Sequence, residues 1–292
     1  MNNFSISQIA QFSGIKPHTI RIWEQRYDAL TPDRSEGNTR YYDGNQLRRL
    51  LNIVSLSGEE YKISELCRMP DERLFDLIRT TREKTPVNDP NEYFISQLIA
   101  AGMSYDEVYF EKLFSHCLIR YGMNDAYKQV IYPLLVRLGL MWASDDLPPA
   151  HEHFMSNIIK QKLLTATDSL PPASSASESW MLFLPENEFH EIGLLFANYL
   201  IRFTRRKVLY MGANVPLPSL SAAINSTLPD NLLLFLVHFD LPNNTKAYLK
   251  DLSTRFAKQN IFVSGNQKMV HKSAPAKNIH WLNSVDDLER HL

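Results

Sequence analysis

From residue 178 to the end of the chain, five short apolar runs alternate with amphipathic segments, and this alternation constrains the fold more than any other feature. The runs are Trp180–Leu184, Lys207–Tyr210, Leu232–Val237, Ile261–Val263 and Ile279–Leu282, with helices predicted over 190–204, 217–226, 243–259 and 285–291. Strand-length apolar runs separated by helical segments imply a parallel sheet covered by helices on both faces. A sheet of that kind binds its ligands outside the carboxyl ends of its strands. No Gly-x-Gly-x-x-Gly follows the first run, which excludes a nicotinamide-dependent oxidoreductase.

Upstream the periodicity is helical. Ser104-x-x-Glu107 reads as a capping box, after which Val108, Leu113, Phe114, Cys117 and Leu118 share one face. A second helix carries Tyr127, Val130, Ile131, Leu134, Leu135 and Leu138, with Pro133 predicted to kink or break it. Two polar stretches, Thr85-Pro86-Val87-Asn88-Asp89-Pro90 and Pro171-Pro172-Ala173-Ser174-Ser175-Ala176-Ser177, read as connections. The expected division is therefore a head at 1–83, a linker at 84–90, a helical domain at 91–172 and an α/β domain at 178–292.

A hydrophobic content of 44% with 22% charged residues excludes whole-chain disorder, and a net charge of −1 excludes a polybasic coat for nucleic acid or membrane. Cys67 and Cys117 match no zinc spacing and read as buried thiols of a reducing compartment. With no signal-peptide pattern and no apolar stretch of membrane-spanning length, a cytoplasmic protein without membrane contact is expected.

The head carries a helix-turn-helix pattern. Ser5-Ile6-Ser7-Gln8 caps a first helix with Ile6, Ile9 and Ala10 inward, Ser13-Gly14 makes the turn, and Pro17 suits the first position of the next helix. Ile20 and Trp23 then face the core, leaving His18, Thr19 and Arg21 outward, where a recognition helix offers donors to base edges. The following loop, with Arg34, Gly37, Asn38, Arg40, Tyr41 and Tyr42, can form a two-stranded wing with phosphate-pairing arginines.

The run Ile20-Arg21-Ile22-Trp23-Glu24-Gln25-Arg26-Tyr27, then Pro32-Asp33-Arg34, then Asn38-Thr39-Arg40-Tyr41-Tyr42, resembles the MerR family of transcription regulators. Its Trp-Glu-x-Arg-Tyr form is similar to the branch that carries cobalamin-type sensor domains. The resemblance implies a dimer on a near-palindromic double-stranded operator, with His18, Thr19, Arg21, Arg34, Arg40 and Tyr41 as DNA-facing residues. Arg34 and Arg40 are the expected phosphate contacts, Thr19 and Arg21 the groove contacts.

Two further patterns bear on sensing. Glu188-Phe189-His190-Glu191-Ile192-Gly193 falls in the loop after the first strand of the sheet, and Gly139-Leu140-Met141-Trp142 is followed by Glu152-His153-Phe154. An imidazole at a strand's carboxyl end can ligate a transition metal, including cobalt in a macrocycle, and a carboxylate two residues earlier can orient the ring. A lone loop histidine beside acids more often has no such role. Gly193, in the first helical turn, would let a bulky ligand approach the backbone.

The first pattern resembles the Asp-x-His-x-x-Gly cobalamin signature. Trp-x9-Glu-His resembles the helical cap of light-responsive, cobalamin-dependent MerR repressors of the CarH or LitR type. The resemblance implies a winged helix-turn-helix, a four-helix-bundle cap and a flavodoxin-like (Rossmann-type) α/β domain. It implies adenosylcobalamin as the cofactor and no other metal. His190 would be the lower cobalt ligand, Trp142, Glu152 and His153 would cover the upper face, and Glu188, Gly193, Ser264 and Gly265 would complete the site. Oligomerisation to a dimer or tetramer, and repression relieved by light, follow from the same resemblance.

The chain departs from the family pattern at Glu188, which replaces Asp and implies looser geometry, and at Ser264-Gly265, which replaces a Gly-Gly pair lining the nucleotide tail. The family's Ser-x-Leu element is not recognisable in Leu236-Val237-His238-Phe239-Asp240, and Ala143 stands where some light sensors carry a second His, a role His151 or His153 could fill. The alternative reading is a cobalamin-independent MerR-type regulator that uses the sensor half for dimerisation or partner binding. A corrinoid methyl carrier is disfavoured by the head, and no enzymatic activity is expected.

Overall fold

The computed structural model describes residues 4–35, 37–57, 61–81, 90–143, 148–173, 178–237, 242–265 and 276–292. They fall into two compact units, 1–156 and 157–292. The expected linker at 84–90 lies outside the described residues except for Pro90, as do Ser174 to Ser177 of the second connection.

The first unit opens with β1 (Phe4–Ser5), α1 (Ile6–Ser13) and α2 (Pro17–Tyr27), followed by the short strands β2 (Asp33–Arg34) and β3 (Arg40–Tyr42) and by α3 (Gly44–Leu56), α4 (Ile63–Arg68) and α5 (Asp71–Thr81). Ser5 and Gln8 form the reciprocal cap of α1, and Gly14 ends it in the left-handed region at φ 71°. Antiparallel pairing in the order β1-β3-β2 sets Arg34 opposite Arg40 and anchors the wing to the chain's first strand. Phe4 and Phe12, edge to face at 5.4 Å, join Ile9, Ile20, Trp23, Tyr42 and Leu47 in the core of this head.

Four helical segments follow: α6 (Pro90–Met103), α7 (Glu107–Ala126), which is interrupted at Gly122 (φ 72°, ψ 170°), α8 (Tyr132–Ala143) and α9 (Pro149–Asp168). Three expectations change here. Ser104 does not cap α7; its hydroxyl donates to the carbonyls of Ala100 and Ala101 at the end of α6, and Asp106 caps α7 by accepting from the Tyr109 amide at 3.0 Å. Tyr105, at φ 54°, supplies the turn that shifts the start by two residues. Val108 therefore faces outward, 63% exposed, while Leu113, Phe114 and Cys117 stay buried. Pro133 does not break its helix; residues Tyr127–Ile131 form a π turn immediately before it, and α8 runs on from Tyr132 with helical backbone.

The head packs on these helices through polar groups as well as apolar ones. The Gln97 side-chain amide donates to Ser55 Oγ at 2.8 Å, Ser55 and Ser96 share a hydrogen bond at 2.6 Å, and Tyr109 donates to Gln97 at 2.9 Å. Ser55, Ser96 and Gln97 are buried, and each thereby has a partner.

The second unit is the predicted sheet. Its strands are β4 (Ser179–Pro185), β5 (Lys207–Val215), β6 (Asn231–Leu236), β7 (Asn260–Gly265) and β8 (Ile279–Leu282), all parallel in the order β5-β4-β6-β7-β8. They alternate with α10 (Ile192–Phe203), α11 (Leu217–Thr227), α12 (Pro242–Arg255) and α13 (Val285–Glu289). Met181, Phe183, Leu232, Leu234, Ile261 and Val263 face Leu220, Ile224, Leu249 and Leu252 of α11 and α12. Alternate residues such as Trp180, Leu182, Leu233 and Phe262 are buried on the opposite face, so the central strands β4, β6 and β7 are largely apolar. The chain reverses strand order beside β4, and the β4–α10 loop opens at that switch point. Among the described residues no helix is long and apolar enough to cross a membrane.

Candidate functional site

In the head, α2 presents His18, Arg21, Gln25 and Arg26 outward, Thr19 half-buried, while Ile20 and Trp23 are buried. Gln25 and Arg26 were not among the expected contacts, although their spacing from Arg21 places them on or beside the same stripe. The wing is fixed to α2 by Glu24. This carboxylate is buried, accepts from Arg40 Nε at 3.0 Å and accepts from the Tyr42 hydroxyl. Burial, together with the Glu24 contact, pushes the Tyr42 phenol above its ordinary range. Arg40 thus ties wing to helix. Arg34 donates to the Asn38 side chain at 2.5 Å and stays exposed, and Tyr41 is half-buried.

The β4–α10 loop of the second unit is built around Glu188, whose side chain is 0% exposed. One carboxylate oxygen accepts from the amides of Phe189 and His190, both at 3.0 Å, and contacts His190 Nδ1 at 2.6 Å; the other accepts from the Val237 amide at 2.9 Å. The residue is one methylene longer than the aspartate of the family pattern, yet its geometry is tight and not loose. The extra length lets it span from the His190 ring to the end of β6. A bulged β5 closes the other side: Asn214, at φ 57°, donates its amide to the Glu188 carbonyl at 3.1 Å and accepts from the Asn187 amide at 2.9 Å. Asn214 and Val237 were not singled out in the sequence, since bulge and strand-end register are set only by tertiary pairing.

With Nδ1–H committed to a carboxylate, the imidazole lone pair falls on Nε2, and the ring is 54% exposed. Phe189, Met211 and Val237 expose apolar surface at this edge, 61%, 39% and 38% respectively. A single oriented imidazole suits a metal that brings its other donors with it, and an apolar rim suits a large flat ring around that metal. The donor set fits cobalt held in a corrin.

The remaining expected residues divide between the units. Ser264 and Gly265 end β7 beside Phe235 and Leu236 of β6; Ser264 donates to the Leu282 carbonyl at 3.2 Å. Gly193 lies in the first turn of α10, but its open face is taken by the Phe235 ring rather than left for a ligand. In the first unit Glu152 and His153 meet at 2.9 Å in the first turn of α9. His151 stacks on Tyr105 at 4.3 Å and shares a hydrogen bond with its hydroxyl at 3.2 Å through Nδ1. Trp142 belongs to the last turn of α8; its side chain, and that of Ala143, lie outside the described residues.

Comparison with known proteins agrees with both halves. Residues 4–71 match the MerR HTH family regulatory protein family, and residues 92–165 match the B12 binding domain family. The chain is 27% identical to the HTH-type transcriptional repressor CarH of Myxococcus xanthus over 78% of its own length and 76% of that protein's. It is 28% identical to the HTH-type transcriptional repressor CarA of the same organism, over 92% and 88%. The Methanosarcina barkeri monomethylamine corrinoid protein shares the fold, with a TM-score of 0.51 and 11% identity over 69% of this chain and 98% of that one. Both curated relatives are repressors, not enzymes. The chain is a MerR-type DNA-binding transcription regulator that carries a sensor of the B12-binding type, homologous to the CarH and CarA repressors.

Proposed function

We propose that this regulator is a repressor whose assembly and operator binding are gated by adenosylcobalamin and by light. The observation that carries the proposal is His190, held by a fully buried Glu188 at the carboxyl end of β4 in a chain that begins with a helix-turn-helix. When bound, adenosylcobalamin supplies a cobalt–carbon bond that visible light cleaves. His190 Nε2 would hold the cobalt, and Glu188 would fix the ring's tautomer and direction. Phe189, Met211 and Val237 would exclude water from the rim, and Glu152, His153 and Trp142 are proposed as further ligand contacts. In the head, Thr19 and Arg21 read base edges and Arg34 pairs with phosphate, while Arg40 both holds the wing and adds charge. Residues 1–83, 91–172 and 178–292 are taken as head, cap and corrinoid-binding domain.

The test uses purified protein mixed with adenosylcobalamin in darkness, gel-filtered and examined by visible spectroscopy before and after green light, with His190→Ala in parallel. Pigment that co-elutes with the unaltered chain and not with the variant is expected. Colourless protein at saturating ligand would sink the proposal and leave the sensor half as a protein-contact surface.

A further inference from the structure

An imidazole on the lower face of cobalt displaces the nucleotide that a complete cobalamin carries there. That nucleotide must then lie either inside the domain beside His190 or outside in solvent. Inside, it needs backbone that no side chain covers, and glycines supply such backbone. Among the described residues two glycines lie at this edge of the sheet, Gly193 in the first turn of α10 and Gly265 at the end of β7, and protein atoms stand close to each. A methyl group built on Gly193 would lie 2.8 Å from Cε1 and 3.1 Å from Cδ1 of Phe235. One built on Gly265, at φ 136°, would lie 2.1 Å from the Leu236 carbonyl oxygen.

The reason is visible in the strands. Phe235 sits on the α10 face of β6, paired with Ser264, with its ring laid against the first turn of α10. Gly193 is small for Phe235, and Gly265 is small for the β6 backbone. Neither marks a groove. The donor above the sheet fits the metal, while the Phe235 ring covers the face of Gly193.

Resting on the corrinoid reading, we infer that Phe235 closes the slot between β6 and α10, so this sensor selects a corrinoid by its ring and axial groups and leaves the nucleotide unburied. Phe235 is then the residue that sets ligand class. Complete cobalamins and tail-less corrinoids are equivalent ligands for this chain.

The probes are adenosylcobalamin and adenosylcobinamide, which lacks the nucleotide, titrated in darkness by visible absorbance against the full chain. The unaltered protein should bind the two within about fivefold of each other, because a group left in solvent adds little to affinity. Phe235→Ala, which opens the slot, should prefer adenosylcobalamin by about tenfold or more; Phe235→Val serves if the alanine variant fails to fold. Electron paramagnetic resonance of the reduced cobalt(II) forms should show an axial nitrogen from the protein with either ligand. A preference beyond about fivefold for adenosylcobalamin in the unaltered chain overturns the inference whatever the variants do. An open-slot variant that gains no preference removes Phe235 from the role. Binding of neither ligand overturns the corrinoid reading itself, and this inference with it.

Discussion

Glu188 is an acid with no exposed side-chain surface, and it is tolerable there because three backbone amides and an imidazole surround its two oxygens. Replacing it by glutamine sets an NH2 group against amide donors and leaves a buried donor unmatched. Glu188→Gln is expected to lower stability by about 1–3 kcal/mol, measured by urea denaturation, and to weaken corrinoid binding about 10- to 100-fold. Unchanged affinity would show that ring orientation does not matter. The carboxylate–histidine pair was legible in the sequence from its spacing alone. Its tightness was not, because the Val237 amide lies 49 positions away and arrives only when β4 and β6 pair. The two thiols make a second test at this scale. Burial pushes Cys67 up to about 11 and Cys117 up to about 12, so neither offers thiolate near neutral pH. A disulfide reagent should leave both untouched in the folded protein and label both after unfolding; rapid labelling in native buffer would contradict their placement.

At the scale of elements, Arg137 of α8 reaches the helix-turn-helix. Arg137 Nη1 donates to Glu92 at 2.7 Å and to the Phe12 carbonyl at 3.4 Å, Nη2 pairs with the same carboxylate, and a methyl group on Gly14 would lie 3.2 Å from Nη2. The guanidinium thus rests on the turn that orients α2. Arg137→Ala is expected to cost about 1–3 kcal/mol and to speed hydrogen exchange at the amides of residues 13–15; no change in either would make the contact incidental. His151 gives α9 a pH response. Burial lowers its pKa from the ordinary 6.5, against a smaller raising effect of the Met103 carbonyl. Below about pH 6.5 the unfolded chain takes up a proton that the folded one resists, so stability is full above that value and is lost as the pH falls. His280 adds to the same trend through burial and the neighbouring His291. His151→Gln should flatten the fall in denaturation midpoint between about pH 7 and 5. All five strands of the parallel sheet, the cap of α1 and the first-turn proline of α2 could be read from local pattern, since period and capping chemistry are properties of contiguous residues. The cap of α7 could not, because Ser104 is claimed by the preceding helix, a competition that depends on where α6 stops.

For the whole molecule, the sequence carried the order of head, helices and sheet, because each has its own hydrophobic period. It did not carry what covers Gly193: Phe235 reads as one more apolar strand residue until β6 is set against α10. On the proposed function, switching works through linkage between arms. One head contacts one half-site, with an affinity bounded by the few donors on α2 and the wing. Holding several heads in one assembly makes the second contact intramolecular, which raises affinity by about 10²- to 10⁴-fold without altering any residue that touches DNA. Adenosylcobalamin in darkness is therefore expected to shift the protein to a larger oligomer in light-scattering chromatography, and green light to reverse the shift. Operator affinity should rise and fall in step. The discriminating measurement uses an operator with one half-site scrambled. Loss of that half-site should remove most of the gain seen with the dark, loaded protein, while the unloaded protein, binding through single arms, should bind both operators almost equally. Arg34→Ala should weaken every one of these complexes and flatten their salt dependence by about one unit per arm engaged, leaving oligomer size unchanged. If the ligand raised affinity for the scrambled operator as much as for the intact one, the gain would come from a rearranged head and not from linked arms.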